Sequence, residues 1–83
     1  MRMTQAQAIE AIEAFNTSPD FICTGLGGYV EAFVAGMDAE GAEAFLEVHI
    51  ASIGRPIEPE SIIVRPDQAE GLDCAHIIIK TEE

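Results

Sequence analysis

The fold of this chain is decided by residues 29–53, which read YVEAFVAGMDAEGAEAFLEVHIASI. This stretch holds many large apolar side chains, several acids and no Lys or Arg. A turn signal lies at its middle: Asp38 suits the first position of a type I turn, and Gly41 suits the left-handed position that follows. We therefore predict a β-hairpin over residues 29–53, closed by a glycine bulge.

The predicted hairpin has one apolar and one polar face, because alternate residues of a strand share a face. With Asp38 opposite Ala42, the apolar face holds Val30, Ala32, Val34, Leu46, Val48 and Ile50. On the polar face, Glu31 lies opposite His49 and Phe33 lies opposite Glu47. The same face carries further large side chains among its acids, namely Tyr29, Met37 and Phe45. Aromatic residues mixed with charges on an exposed sheet face are typical of interfaces.

A helix is the alternative for the second half of this stretch. Asp38 could cap it, and Gly54 could end it before Arg55 and Pro56. Its first turn would contain Gly41, which is a poor helix former. Three β-branched residues also favour a strand, namely Val48, Ile50 and Ile53. The hairpin is our prediction.

The segment 4–16 is predicted to be the N-terminal helix. Thr4 caps it, and Gln7 completes a capping box by reaching back to the Thr4 N–H. An apolar stripe follows, made of Ala8, Ile9, Ala11, Ile12 and Phe15. Glu10 and Glu13 lie off this stripe, toward water. A helix of this length is marginal alone, so we expect it to pack on the hairpin's apolar face.

The predicted fold is α+β: one N-terminal helix packed on an antiparallel sheet of four or five strands, in a single small domain of residues 1–83. Two further strands are predicted besides the hairpin and a short strand at 21–24. The remaining predictions are a breaker run at 16–20, a tight Gly-Gly connection at 26–28, a linker at 55–60, a strand at 61–65 stopped by Pro66, a loop at 67–73, a strand at 74–80 and an exposed tail at 81–83.

Candidate chemistry is sparse in this chain. Four potential zinc ligands are present, Cys23, His49, Cys74 and His76, but they lack the C-x₂-C knuckles of structural zinc sites. A Cys–His nucleophile would need nearby positive charge, and the chain has little. Two buried thiols are expected, with a disulfide only if their strands are neighbours. We predict no catalytic residue, no metal and no cofactor; the protein is not expected to be an enzyme.

Charge is the main functional signal. Fifteen acids face four basic residues, which gives a formal net charge of −11. No Lys or Arg occurs between Met3 and Gly54. Such a field repels nucleic acid and anionic membranes, and it attracts basic protein surfaces. The N-terminus has neither a signal peptide nor a membrane span, so a cytoplasmic location is expected.

In size and acidity the chain resembles small phage-encoded inhibitors, including many anti-CRISPR proteins, that mimic the charge of DNA. The resemblance covers the composition of the whole chain and rests on no motif, so no residue role follows from it. It implies a small binding protein that inhibits a basic, nucleic-acid-handling partner by presenting carboxylates in place of phosphates. The residues predicted to bind this partner are Glu31, Asp38, Glu40, Glu43 and Glu47, then Glu10 and Glu13, with Tyr29 and Phe33 as apolar contacts.

The alternative function is a structural or assembly module. Such a module would be a homodimer formed through the apolar sheet face with Phe33 and Phe45, and its acidity would serve solubility only. Its sign would be a stable dimer whose mass does not change with salt.

Overall fold

A computed structural model describes residues 2–15, 22–25, 28–54, 56–69 and 71–82. Two helices pack against one face of an antiparallel sheet with the strand order β1-β2-β4-β3. The elements are α1 (Gln5–Glu13), β1 (Ile22–Gly25), β2 (Tyr29–Ala35), α2 (Ala39–Ile53), a short 3₁₀ turn (Pro59–Ser61), β3 (Ile62–Ala69) and β4 (Leu72–Lys80). The predicted α+β class is confirmed.

Helix α1 begins at the predicted capping box. The Gln7 N–H donates to Thr4 Oγ1 at 3.2 Å, and the Thr4 N–H donates to Gln7 Oε1 at 3.0 Å. Such a cap contributes about 1 kcal/mol to helix stability. The helix buries Ala8, Ala11 and Ile12 in the core. The predicted breaker run at 16–20 lies outside the described residues.

The second half of the predicted hairpin is wrong: residues 39–53 form helix α2. Asp38 is its N-cap, because Asp38 Oδ1 accepts from the Gly41 N–H at 2.7 Å. Gly54 ends the helix in the left-handed conformation, with φ at 79°. The features that suit a type I turn therefore also suit a helix start. The helix buries Ala42 and Leu46.

Strand β2 takes its partners from β4 rather than from residues 46–50. The core-facing pairs are Val30 with Ile79, Ala32 with Ile77, and Val34 with Ala75. These β4 residues are fully or almost fully buried beneath the helices. Because β4 is the apolar partner of β2, residues 42–53 are not needed as its second strand, and they cover the sheet as a helix instead. The predicted parity of β4, with Ile77 and Ile79 on one face and His76 and Ile78 on the other, is confirmed.

Strand β3 runs through Pro66 to Ala69, so the predicted stop at Pro66 and the predicted loop at 67–73 are wrong. Two hydrogen bonds at the ends of the β2–β4 pair fix which residues bond across it: the Gly36 N–H donates to the Asp73 carbonyl, and the Thr81 N–H donates to the Gly28 carbonyl. The main-chain N–H and C=O groups of odd-numbered β4 residues therefore point to β2, and those of even-numbered β4 residues point to β3. In the register of β3 with β4, Pro66 consequently points its nitrogen away from the sheet. A proline at this place on an edge strand removes no ladder hydrogen bond.

The predicted exposed tail at 81–83 is also wrong at Thr81, which is buried. Thr81 extends the pairing of β4 through its bond to Gly28 and forms a parallel bridge with Met3. The Glu82 N–H donates to the Met3 carbonyl at 2.9 Å, and Met3 is fully buried. The two ends of the described chain thus pack together beside the sheet.

The sheet has one covered face and one face on which neither described helix packs, which we call the open face. The covered face and the helices form the core. Its buried members are Met3, Ala8, Ala11, Ile12, Val30, Ala32, Val34, Ala42, Leu46, Ala75, Ile77 and Ile79. The open face presents the alternate residues Tyr29, Glu31, Phe33, Ala35, Ile63, Arg65, Asp67, Cys74, His76, Ile78 and Lys80.

Candidate partner-binding site

Three of the predicted acids form a stripe along α2. Glu40, Glu43 and Glu47 are all exposed and are spaced three and four residues apart. At 3.6 residues per turn and 1.5 Å per residue, they fall within an arc of about 60° and span about 10 Å of the helix axis. Neither helix contains a Lys or Arg. We call Glu40, Glu43 and Glu47 the α2 acidic stripe.

The α2 acidic stripe borders an apolar groove of about 590 Å³, which we call the α2–β3 groove. Helix α2 contributes Glu43, Leu46, Glu47, Ile50 and Ala51; the rest of the lining is Ile57, Pro59, Ile62, Ile63 and Val64. Ile62 and Val64 point to the covered face, whereas Ile63 points to the open face. The groove therefore runs along the outer edge of β3. The opposite flank of α2 faces α1, where Phe45 and Phe15 are in ring contact at 4.4 Å between centroids.

The other helical acids lie apart from the stripe. Glu10 and Glu13 are exposed on α1, on the side away from its buried residues. Asp38 lies at the start of α2, and one of its carboxylate oxygens is engaged by the Gly41 N–H. Asp38 therefore has a structural role in the cap as well as a negative charge.

The remaining predicted residues lie on the open face. Glu31 Oε2 and His76 Nε2 are 2.6 Å apart, and the Phe33 ring stacks on His76 with centroids 4.4 Å apart. Tyr29 lies at the end of the same strand and is 39% exposed. The predicted pairings of Glu31 with His49 and of Phe33 with Glu47 are wrong, because both partners are on α2. Phe45 is on α2 as well, so it does not share a face with Phe33.

The nine predicted binding residues thus divide between two sides of the sheet. The structure brings together Glu40, Glu43 and Glu47, and separately Tyr29, Glu31 and Phe33. The apolar lining from Ile57 to Val64 was not among the predicted residues. Its only signal in the sequence is a run of aliphatic residues, Ile62, Ile63 and Val64, that begins three residues after Pro59.

The four potential zinc ligands are divided in the same way. His49 is on α2, whereas Cys74 and His76 are on the open face of β4. Strand β2 separates β1 from β4, so Cys23 and Cys74 are not on neighbouring strands. Cys74 is a buried free thiol. Among the described residues, no group of three or more His, Cys, Asp or Glu is placed to hold a metal ion.

A scan against protein-family models, a search of curated proteins and a search of solved structures found no match to this chain. Neither described helix is long and apolar enough to cross a membrane. The surfaces of the described residues that can bind a partner are the α2 acidic stripe, the α2–β3 groove and the open face.

Proposed function

We propose that this protein is a small, non-enzymatic acidic binding protein that inhibits a basic, nucleic-acid-handling partner in the cytoplasm. It would do so as phage-encoded inhibitors of the DNA-mimic and anti-CRISPR type do, by placing carboxylates where the partner binds phosphates. The observation that carries this proposal is the α2 acidic stripe: three exposed carboxylates on one flank of a helical layer that has no Lys or Arg.

The stripe is suited to a cationic groove for two physical reasons. Its carboxylates are spaced by about 4.5 and 6 Å along the helix axis, so they can contact several Lys or Arg side chains that lie in a row on the partner. A rigid helix also holds these charges in place, which lowers the entropy cost of binding. The net charge of −11 adds long-range attraction to a basic partner and repels nucleic acid itself.

Capture with matched variants tests this proposal. Beads carrying wild-type protein, the E43Q/E47Q variant or the E10Q/E13Q variant are incubated with a bacterial lysate at low salt and eluted with a salt step. Both variants lose two exposed helical charges, so they differ only in where the charge is lost. Each captured protein is then purified, and its DNA binding is measured by fluorescence anisotropy with and without the acidic protein.

We expect a nucleic-acid-binding protein that is released by salt, displaced by duplex DNA and inhibited by the wild-type protein. E43Q/E47Q should weaken inhibition about tenfold, whereas E10Q/E13Q should weaken it only about twofold, since exposed charges contribute about 0.2–1 kcal/mol each. Captured proteins whose DNA binding is unaffected by the acidic protein would contradict the proposal. Equal effects of the two variants on inhibition would show that the α2 acidic stripe is not the binding site.

A second candidate function is self-assembly through the open face, which has a more balanced charge than the helices. Arg65 and Lys80, two of the four basic residues of the chain, project there beside Glu31 and Asp67. The face proposed from the sequence is covered by the helices, so a dimer would form through Tyr29 and its open-face neighbours instead. Sedimentation equilibrium tests this: a dimer that is insensitive to salt, lost in Tyr29→Lys and kept in Val48→Lys, would support it, and a monomer would exclude it.

A further inference from the structure

We propose that the α2–β3 groove binds an extended segment of the basic partner, which pairs with the outer edge of β3 as an additional strand. This inference rests on the proposed function, because it specifies which part of a basic partner meets the α2 acidic stripe. Its occupant is a β-strand that carries alternating aliphatic and Lys or Arg side chains. Strand addition to an exposed sheet edge is a recurring way to recognise peptides.

The outer edge of β3 offers main-chain hydrogen-bonding groups to such a strand. The ladder register places the main-chain groups of Ile62, Val64, Pro66 and Gln68 outward. The Ile62 N–H is used by the Pro59 carbonyl, the Gln68 N–H is used by Asp67 Oδ1 at 2.8 Å, and Pro66 has no N–H. Within residues 62–68, Val64 therefore carries the one outward amide that bonds to no other described residue.

This edge specifies a short segment. A residue opposite Val64 can exchange two hydrogen bonds with it, and residues two positions away on each side can donate to the carbonyls of Ile62 and Pro66. About five residues of an antiparallel strand therefore use the whole edge. Beyond them the edge has no further donor until Gln68, whose N–H is already bonded.

The side chains that line the groove also suit this segment. Its floor is aliphatic, with Leu46 and Ile50 from α2 facing Ile57 and Val64. Apolar surface buried against this floor, including the methylene chains of Lys and Arg, favours binding. Glu43 and Glu47 stand at the rim of the same groove and are exposed. Adjacent residues of a strand point to opposite faces, so the Lys and Arg side chains of this segment lie on the α2 side, with their methylene chains on the floor and their charges against these carboxylates. The alternating aliphatic side chains then lie on the open-face side, beside Ile63.

A titration with matched peptides tests the inference. The probe is the hexapeptide acetyl-Lys-Val-Arg-Val-Lys-Val-amide, added to uniformly ¹⁵N-labelled full chain and followed by two-dimensional NMR. Saturable shifts are expected for the amides of Val64, Ile57 and Glu47, with slower solvent exchange at Val64 because its N–H becomes bonded. An acidic peptide in which Glu replaces each Lys and Arg should bind at least about tenfold more weakly.

N-methylation separates strand addition from simple contact with the groove. Two further peptides carry N-methyl groups on one or the other set of alternating residues. Only one edge of the peptide faces β3, so one methylated peptide should keep its affinity within about twofold while the other loses at least about tenfold. Equal affinities for both methylated peptides, or shifts confined to the open face, would overturn the inference.

Protein variants give an independent readout. E43K/E47K should weaken peptide binding at least about tenfold, and E10K/E13K should change it less than about threefold, although both variants gain the same charge. Peptide binding that is equal in the two variants would also overturn the inference. If E43Q/E47Q relieves inhibition of a DNA-binding partner while the peptide does not bind, only the strand-addition mode fails. If the peptide binds at Val64 but no DNA-binding protein is inhibited, the proposed function fails.

Discussion

The α2 acidic stripe and the open face both carry acids from residues 29–53, but their carboxylates are in different states. Glu31 on the open face is 2.6 Å from His76, and its side chain is 31% exposed. The acids of the stripe are exposed on a helix without Lys or Arg. The number of carboxylates in a sequence is therefore not the number available to a partner. Availability depends on what each carboxylate already contacts.

The largest expected effect comes from undocking the helix that carries the stripe. Leu46 is 1% exposed and packs in the core beneath α2. Leu46→Ala should lower the free energy of unfolding by about 2–5 kcal/mol, as measured by urea denaturation. Val48, on the outer side of the same helix, is 75% exposed, so Val48→Ala should change it by less than about 0.5 kcal/mol. Equal losses in both variants would contradict the placement of α2.

A smaller effect is expected on the open face. Glu31→Ala removes the partner of His76, whose side chain is only 12% exposed beneath Phe33. Leaving this nitrogen unpaired should cost about 1–2 kcal/mol. Glu31→Gln keeps an oxygen within reach and should cost less. Glu43→Ala on the stripe should be close to neutral, and a thermal-denaturation series of the three variants measures the contrast directly.

Asp38 lies between these two cases because its carboxylate is both charged and engaged. Asp38→Ala removes the N-cap and should cost about 1 kcal/mol. Asp38→Asn keeps a capping oxygen but loses the charge, so its stability should stay within about 0.5 kcal/mol of the wild type. Any loss of partner binding by Asp38→Asn can then be assigned to charge alone. A destabilised Asp38→Asn variant would show that the charge itself supports the helix start.

The smallest expected effect concerns repulsion within the stripe. Glu43 and Glu47 are four residues apart, a spacing at which like charges destabilise a helix. The E43Q/E47Q variant should therefore be more stable than the wild type by up to about 0.5 kcal/mol at low salt. The gain should vanish at about 1 M salt, where the screening length is about 3 Å. Chemical denaturation with urea, which is uncharged, at two salt concentrations makes the measurement, and a gain that persists at high salt would contradict the explanation.

Local signals in the sequence were sufficient for some elements. The Thr4–Gln7 capping box and the alternation of Ile77 and Ile79 depend on neighbours along the chain, so both could be predicted. Asp38 and Gly41 suit a turn and a helix cap equally well, and no local rule separates the two. Residues 39–53 form a helix rather than a strand because β2 pairs with β4, and the paired residues lie about 40 or more positions apart in the sequence. The predicted stop at Pro66 is wrong because a proline interrupts a strand only where its nitrogen points toward a neighbouring strand, and that direction depends on the sheet register.

The candidate site was predictable only in part for the same reason. Glu40, Glu43 and Glu47 were identified as binding residues from charge alone, and a strand or a helix leaves all three exposed. The predicted proximity of these acids to Glu31 depends on the hairpin register. It is wrong because residues 39–53 form a helix on the opposite side of the sheet. The α2–β3 groove could not be predicted, because its walls come from two segments that only the tertiary structure brings together.

Pro66 has a consequence for aggregation. Fibrils grow by adding identical strands, and each added strand needs donors at regular intervals along an edge. The outer edge of β3 supplies such a donor at Val64 and withholds it at Ile62, Pro66 and Gln68. One short strand can be accepted there, but a growing stack of copies meets a poor template. This protection comes from covalent structure and hydrogen bonding, so it persists at high salt, where the repulsion between eleven net negative charges per molecule is screened.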